Sequence, residues 1–129
     1  EMLSLTFVHD NLLWPSYIPP QPVYDFWSKV EVPFGMADTE FFPYWTNGLQ
    51  TSAPYIKASY WKKSNSEDYL LALANWSDQP ANRVLKLRTR ARLTDVFSGE
   101  DLGVHEGEFR IDALPARFGR LIEARPARR

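Results

Sequence analysis

The sequence predicts a mainly β protein, an antiparallel β-sandwich of about six to eight strands with one short helix and an irregular N-terminal segment rich in aromatic residues and proline. Two observations support this fold class. Short segments between residues 55 and 124 alternate apolar and polar side chains with the period of two that is typical of strands. Turn signals separate these segments at the spacing expected of a sandwich, among them Asn47-Gly48, Ser98-Gly99 and Glu106-Gly107.

The first forty residues differ in kind from the rest, and we expect residues 1–40 to be a connector or the tail of a preceding domain. Residues 41–129 are then the β-sandwich domain. Leu3 to Val8 alternates like a strand, but the four prolines between Trp14 and Pro22 exclude regular structure there. Aromatic residues are concentrated before residue 62, and so much apolar surface needs either the sheet or another domain to cover it.

One short helix is predicted from Pro22 to Val30. Proline suits the first helical turn because its missing N–H has no partner to lose there. The apolar residues that follow are at helical spacing: Val23, Phe26, Trp27 and Val30. A residue before proline disfavours the helical conformation, so Val32 is expected to lie outside the helix, and Asp38 is expected to begin a separate turn.

Seven strands are predicted in the second half of the chain. They are Tyr55–Trp61, Tyr69–Trp76, Arg83–Thr89, Leu93–Phe97, Leu102–Val104, Phe109–Ala113 and Arg120–Ala124. The side chains on their apolar faces form the predicted core: Leu71, Leu73, Leu85, Leu87, Leu93, Phe109, Ile111 and Leu121.

Composition excludes several classes of function. The 129 residues carry a net charge of −1, so neither nucleic acid nor a membrane is predicted as a partner. All arginines lie at or after Arg83 and mostly alternate with apolar residues, which indicates a solvated sheet face. The absence of cysteine excludes disulfides and thiol catalysis. The sequence does not determine the localisation, and a secreted or periplasmic bacterial parent protein is compatible with it.

His9-Asp10 is the one adjacent pair with catalytic character, because a carboxylate can orient a histidine as a base or a ligand. The alternative is that the pair ends a strand and bonds to the backbone. The second histidine, His105, is distant in sequence, and no spacing of carboxylates singles out a pair. No catalytic residue, metal ligand or cofactor is therefore predicted.

Aromatic side chains are the candidate ligand contacts. Exposed rings stack on the C–H faces of sugars, and the candidates for such contacts are Trp45, Trp61 and Trp14. Trp45 is favoured because Pro43 and Asn47-Gly48 indicate a loop around it. The alternative is that these rings fill a core or an interface, because aromatic residues cover a large apolar area.

A series of motifs begins at Lys57. An apolar strand runs into Asn75-Trp-Ser, Asp95 leads into Ser98-Gly-Glu, and Phe118-Gly-Arg-Leu-Ile follows at the end. This order resembles the small C-terminal β-sandwich domains that follow the TIM barrel in many glycoside hydrolases. The cluster from Phe41 to Trp45 is similar to one that lies just ahead of that sandwich in large bacterial glycosidase-like proteins. The resemblance covers about residues 40 to 124.

The resemblance implies a non-catalytic accessory domain that packs against a catalytic barrel and stabilises it. No activity is then expected of this chain alone, since the catalytic carboxylates of such enzymes lie on barrel loops. The partner would be a catalytic domain of the same polypeptide, or a second copy bound through the N-terminal aromatic segment. One alternative is a carbohydrate-binding module that uses exposed aromatic rings. Another is a small hydrolase built on His9-Asp10.

Overall fold

The computed structural model describes His9, residues 20–49 and residues 55–128. Within these ranges the chain forms one long helix, α1 (residues 20–34), followed by eight strands. The strands are β1 (Thr39–Phe42), β2 (Ile56–Lys63), β3 (Tyr69–Asn75), β4 (Ala81–Lys86), β5 (Ala91–Asp95), β6 (Asp101–His105), β7 (Glu108–Leu114) and β8 (Gly119–Pro126). The seven predicted strands are all present, with ends that differ by three residues at most from the prediction.

The strands form two antiparallel sheets. The larger sheet has the strand order β1-β2-β3-β8-β5-β6, and the smaller sheet pairs β4 with β7. Every pairing between neighbours is antiparallel. The predicted fold class, a mainly β antiparallel sandwich with one helix, is therefore confirmed.

The space between the two sheets holds the first core cluster, to which both sheets contribute alternate residues. The predicted core residues that lie in it are Leu71, Leu73, Leu85, Leu93, Phe109 and Ile111, each buried. Leu87 is only partly buried, because β4 ends one residue before it at Lys86. The alternation of apolar and polar side chains therefore predicted the core residues of the sandwich correctly within the observed strands, and it was wrong only for Leu87, which follows the end of β4.

The opposite face of the larger sheet is covered by α1, which creates a second core cluster. Its helical members are Val23, Phe26, Val30 and Phe34, and its sheet members are Trp61, Leu70, Ala72, Ala74 and Leu121. Leu121 is buried as predicted, but it belongs to this helix-side cluster, because its neighbour Ile122 faces the other sheet. The strand β3 is buried on both faces, and this explains its unbroken apolar sequence.

The helix α1 is longer than predicted and not uniform. It consists of α-helical Pro20–Phe26, a π-helical segment Trp27–Glu31 and a last turn Val32–Phe34. The expectation that Val32 lies outside the helix is wrong, since this residue has φ −71° and ψ −50°. Its N–H donates to the carbonyl oxygen of Trp27, a wider turn than the α-helical one. The wider turn gives the following proline ring the room that a regular helix withholds.

The connection from α1 to the sheet is short. Gly35 ends the helix in the left-handed conformation with φ 74°, and a single turn, Met36–Asp38, follows. The expected turn beginning at Asp38 is wrong, because Thr39 is already extended and pairs with Lys63 in β1–β2. The predicted division of the chain at residue 40 stays a prediction, although α1 lies ahead of it and packs on the sheet.

Two sequence expectations fall outside the described residues. These are the strand from Leu3 to Val8 and the first part, up to Pro19, of the proline-broken connector predicted from Trp14 to Pro22. The last part of that prediction is wrong, because residues 20–22 form the first turn of α1, where proline is tolerated. In the part of the chain that the structure describes, no helix has the length and apolar character needed to cross a membrane.

Candidate functional site

Asn75, at the end of β3, is the first of the motif residues. Its side chain is buried, and its Nδ2 donates to the carbonyl oxygens of Gln79 (2.9 Å), Leu114 (3.0 Å) and Pro115 (3.2 Å). Its Oδ1 accepts hydrogen bonds from the N–H of Ser77 at 3.0 Å and from the hydroxyl of Ser77 at 2.7 Å. Asn75 therefore ties β3 to the connection between β7 and β8, and both ends of its amide are used inside the chain.

The second motif, which begins at Asp95, is a turn. Its Oδ1 accepts the N–H of Ser98 at 3.0 Å, and Gly99, with φ 74°, donates its N–H to the Asp95 carbonyl at 2.8 Å. Arg120 donates its Nε–H to Oδ2 at 2.9 Å. Burial alone would raise the pKa of Asp95, but the hydrogen bonds from Ser98 and Arg120 outweigh burial and lower that pKa below its usual value. Asp95 is thus an ionised carboxylate with a structural role.

Trp76, the residue after Asn75, lies in an aromatic cluster that we define as His9, Tyr44, Trp45 and Trp76. The His9 ring stacks on Trp76 with the centroids 5.7 Å apart and the planes inclined by 19°. His9 also lies 6.0 Å from the Trp45 ring. Tyr44 meets Trp45 edge-on at 4.9 Å and Trp76 edge-on at 5.8 Å. The geometry is mainly the edge-to-face packing that aromatic rings adopt against one another.

Lys57 brings a positive charge to the aromatic cluster. Its Nζ lies 5.1 Å from the centroid of the Tyr44 ring and 5.3 Å from that of Trp76. Lys57 projects from the helix-side face of β2, because its neighbours Ile56 and Ala58 face the space between the sheets. A cation over an aromatic ring contributes about 0.5–1 kcal/mol at an exposed site. The cluster is therefore held together by its own residues.

The candidate sugar contacts divide by exposure. Trp45 is 58% exposed, as a ligand contact requires. Trp61 is 4% exposed and lies in the helix-side cluster, where its ring centroid is 5.2 Å from that of Phe41. Trp61 is corrected from a candidate contact to a core residue, because α1 covers the face of β2 on which it stands. Trp14, the third candidate, lies outside the described residues.

His9-Asp10 was the weak candidate for catalysis. His9 is partly buried and contributes its ring to the aromatic cluster, whereas Asp10 lies outside the described residues. Among the residues that the structure describes, no three histidine or acidic side chains are grouped so that they could hold a metal ion.

Three further strand ends lie beside the aromatic cluster, at the same end of the larger sheet. Tyr55 precedes β2 and Phe118 precedes β8, on either side of the end of β3. The N–H of Trp76 donates to the Tyr55 carbonyl, and the N–H of Asn75 donates to the Phe118 carbonyl, both at 2.8 Å. Phe97 follows β5, whose end pairs with the beginning of β8.

We define the sheet-end rim as the aromatic residues at this end: Trp45, Tyr55, Trp76, Phe97 and Phe118. Trp76 is partly buried, and the other four are between 39% and 62% exposed. With strands about 4.8 Å apart, five neighbouring strands give the rim a width of about 20 Å. The rim is the largest group of exposed aromatic side chains among the described residues.

Tyr55, Phe97 and Phe118 were not predicted as site residues. Each lies next to a predicted strand, so the sequence contained the signal that they are at strand ends. Which strand ends share an edge depends on the strand order, and the neighbours β3 and β8 are separated by more than forty residues of sequence. The rim therefore could not be assembled without the sheet topology.

These observations define a class of protein, a β-sandwich domain in which Asn75 and Asp95 are tied into the fold and several aromatic side chains are exposed at one end of the larger sheet. Residues 19–114 match the family model for the glycoside hydrolase 123 C-terminal domain. Because the match covers most of the chain, this chain belongs to that family. The resemblance to the C-terminal domains of glycoside hydrolases, stated above from the motifs, is thereby confirmed.

Solved structures with a similar fold are also glycosidases. They include a GH27 β-L-arabinopyranosidase from Geobacillus stearothermophilus, at a TM-score of 0.53 and 16% identity over 60% of this chain and 19% of that chain. An α-amylase from Geobacillus thermoleovorans has a TM-score of 0.52 and 11% identity over 89% of this chain and 25% of that one. The chain thus spans between a fifth and a quarter of the length of these enzymes. Comparison with curated protein sequences gives no match.

Proposed function

We propose that this chain is a non-catalytic accessory domain that packs against the catalytic barrel of a glycoside hydrolase and stabilises it. The observation that supports this proposal most is the match of residues 19–114 to a family of C-terminal domains of glycoside hydrolases. Similar folds make up only 19% and 25% of two larger glycosidases, which is the size expected of an appended domain.

The chemistry of the described residues agrees with this role. Asp95, the most deeply buried carboxylate among them, has a lowered pKa and is engaged by Arg120 and the turn backbone. A general acid needs a raised pKa and access to a substrate. Asn75 is equally occupied by backbone groups of its own chain. The catalytic carboxylates would then belong to another part of the polypeptide.

The stabilising role is tested by deletion. We would compare the full-length polypeptide that carries this chain with a form lacking residues 19–129, and measure the half-life of its glycosidase activity on heating. The expected result is a half-life shorter by about tenfold, with kcat/KM before heating changed little, because a docked domain slows unfolding. Equal half-lives would refute the stabilising role, and an immediate loss of kcat would indicate a part in catalysis.

A carbohydrate-binding module is the second candidate, because Trp45 is exposed and neighbours other rings. Binding isotherms of the isolated chain with a panel of oligosaccharides separate the two candidates. A saturable signal that Trp45→Ala abolishes would favour the module, and silence across the panel favours the accessory domain. Sedimentation of the same sample tests self-association through the N-terminal aromatic segment, which requires a concentration-dependent mass.

A further inference from the structure

We propose that the sheet-end rim is the surface through which this chain docks on the catalytic domain of its own polypeptide. The inference rests on the proposed function and adds the place of contact. Trp45, Tyr55 and Phe118 are each more than half exposed and stand at the same end of the larger sheet, and exposed apolar surface of this kind marks interaction sites in soluble proteins. Aromatic residues are enriched at the centres of protein interfaces, and charged residues are depleted there.

The position of His9 supports the catalytic domain as the occupant. Its ring stacks on Trp76 at 5.7 Å and lies 6.0 Å from Trp45, so the polypeptide ahead of α1 reaches the domain at the rim. The match to the C-terminal domain family begins at residue 19. Sequence that joins this domain to a preceding one therefore passes the rim, and a short connection favours docking there because it raises the effective concentration of the two surfaces.

The ring geometry favours a protein surface over a sugar as the occupant. The aromatic cluster beside the rim packs mainly edge-to-face, with Tyr44 at 90° to Trp45 and at 80° to Trp76, so Tyr44 does not extend a flat platform with either indole. Among the described residues, the near-parallel neighbour of Trp76 is His9, inclined by 19°, and it covers a face of the indole that a sugar would need. The indole Nε1 of Trp76 is buried within the described residues, so the polar edge of this ring is not open to a sugar hydroxyl.

Hydrogen–deuterium exchange tests the proposal on the full-length polypeptide and on the isolated chain. The regions to compare are residues 43–49, 55–57, 76–79 and 116–119 at the rim. The connection between β2 and β3, at the opposite end of the sheet, is the internal control. We expect the rim regions to exchange about tenfold more slowly in the full-length polypeptide, with the control unchanged.

The variant for this test is Trp45→Ser, Tyr55→Ser and Phe118→Ser together, which alters exposed side chains only. It should abolish the protection while the circular dichroism of the isolated chain stays that of a β protein. Val32→Ser is the matched control, because Val32 is 76% exposed and lies two residues from Phe34, whose ring is near Lys63 at the other end of β2. This control should keep the protection.

The possible outcomes separate the two proposals. If another surface such as α1 is protected and the rim is not, docking through the rim is wrong, but the accessory role stands. If no region is protected, both the rim and the accessory role are wrong. Protection of the rim in the isolated chain on addition of an oligosaccharide would assign the surface to carbohydrate instead.

Discussion

Asn75 joins the end of β3 to carbonyl oxygens of the connection between β7 and β8. Asn75→Ala removes three donations and leaves the Ser77 N–H without its acceptor, while the Gln79 carbonyl keeps the Ser77 hydroxyl and the Pro115 carbonyl keeps the Phe118 N–H. We expect a loss of about 1–3 kcal/mol in the free energy of unfolding, measured by urea denaturation. Gln79→Ala is the control, since only the backbone of Gln79 is used, and it should change stability by less than about 0.5 kcal/mol. An Asn75→Ala variant as stable as the wild type would contradict the stabilising role of these hydrogen bonds.

Asp95 gives the protein a defined response to acid. Its folded-state pKa is lowered, so its contribution to stability is present above the unfolded pKa of about 3.9 and is lost as the pH falls through the lower folded value. Unfolding free energies measured between pH 7 and pH 2 should therefore fall less steeply below pH 4 in Asp95→Asn than in the wild type. Asp112→Asn is the control, because Asp112 is exposed and pairs only with its near neighbour Arg110. If the unfolding free energy of Asp112→Asn depended on pH as weakly as that of Asp95→Asn, the acid response could not be assigned to Asp95.

At the residue scale, the sequence identified the motif positions but not all of their partners. Ser98-Gly99 was predicted as a turn, and the hydrogen bond from the Ser98 N–H to Asp95 is local to that turn. The partners of Asn75 include Leu114 and Pro115, some forty residues away, which no local pattern indicates. Trp61 was misassigned for a similar reason, since alternation shows which face of β2 it is on but not that α1 covers this face.

Among the secondary-structure elements, α1 is the one whose packing is most open to test. Phe34 is 3% exposed in the helix-side cluster, and Phe34→Ala should cost about 3–5 kcal/mol in unfolding free energy. Val32→Ala, two residues away and 76% exposed, should cost little because the side chain leaves no cavity. Thermal or urea unfolding of both variants measures the difference. Equal costs would mean that α1 does not pack on the sheet as described.

The elements themselves were largely predictable. Period-two alternation predicted seven strands, because each strand of a sandwich presents one face to the core. The helix was predicted from its spacing, but its last turn was missed because a π-helical segment accommodates Pro33. The edge strand β1 was also missed, since its four residues, Thr39–Phe42, are too few to show a period.

For the whole molecule, α1 and the larger sheet share a buried core, and the predicted division of the chain at residue 40 stays a prediction. The aromatic N-terminal part contributes α1, which closes the helix-side core, and the rest forms the two sheets. We propose that residues ahead of α1 form the connection to a preceding domain. Part of the predicted N-terminal apolar surface is thus covered by the chain's own sheet, and four of the five exposed aromatic side chains among the described residues belong to the rim, the fifth being Tyr24 on α1.

The central claim is that this domain stabilises, and is stabilised by, a catalytic domain in the same polypeptide. Scanning calorimetry of the full-length polypeptide and of the isolated chain tests it most directly, because docking raises the melting temperature of both partners. We expect the transition of this domain to occur about 4 °C or more higher in the full-length polypeptide, and we expect the combined Trp45→Ser, Tyr55→Ser and Phe118→Ser variant to remove the difference. Identical melting temperatures for the isolated and the attached domain would contradict it.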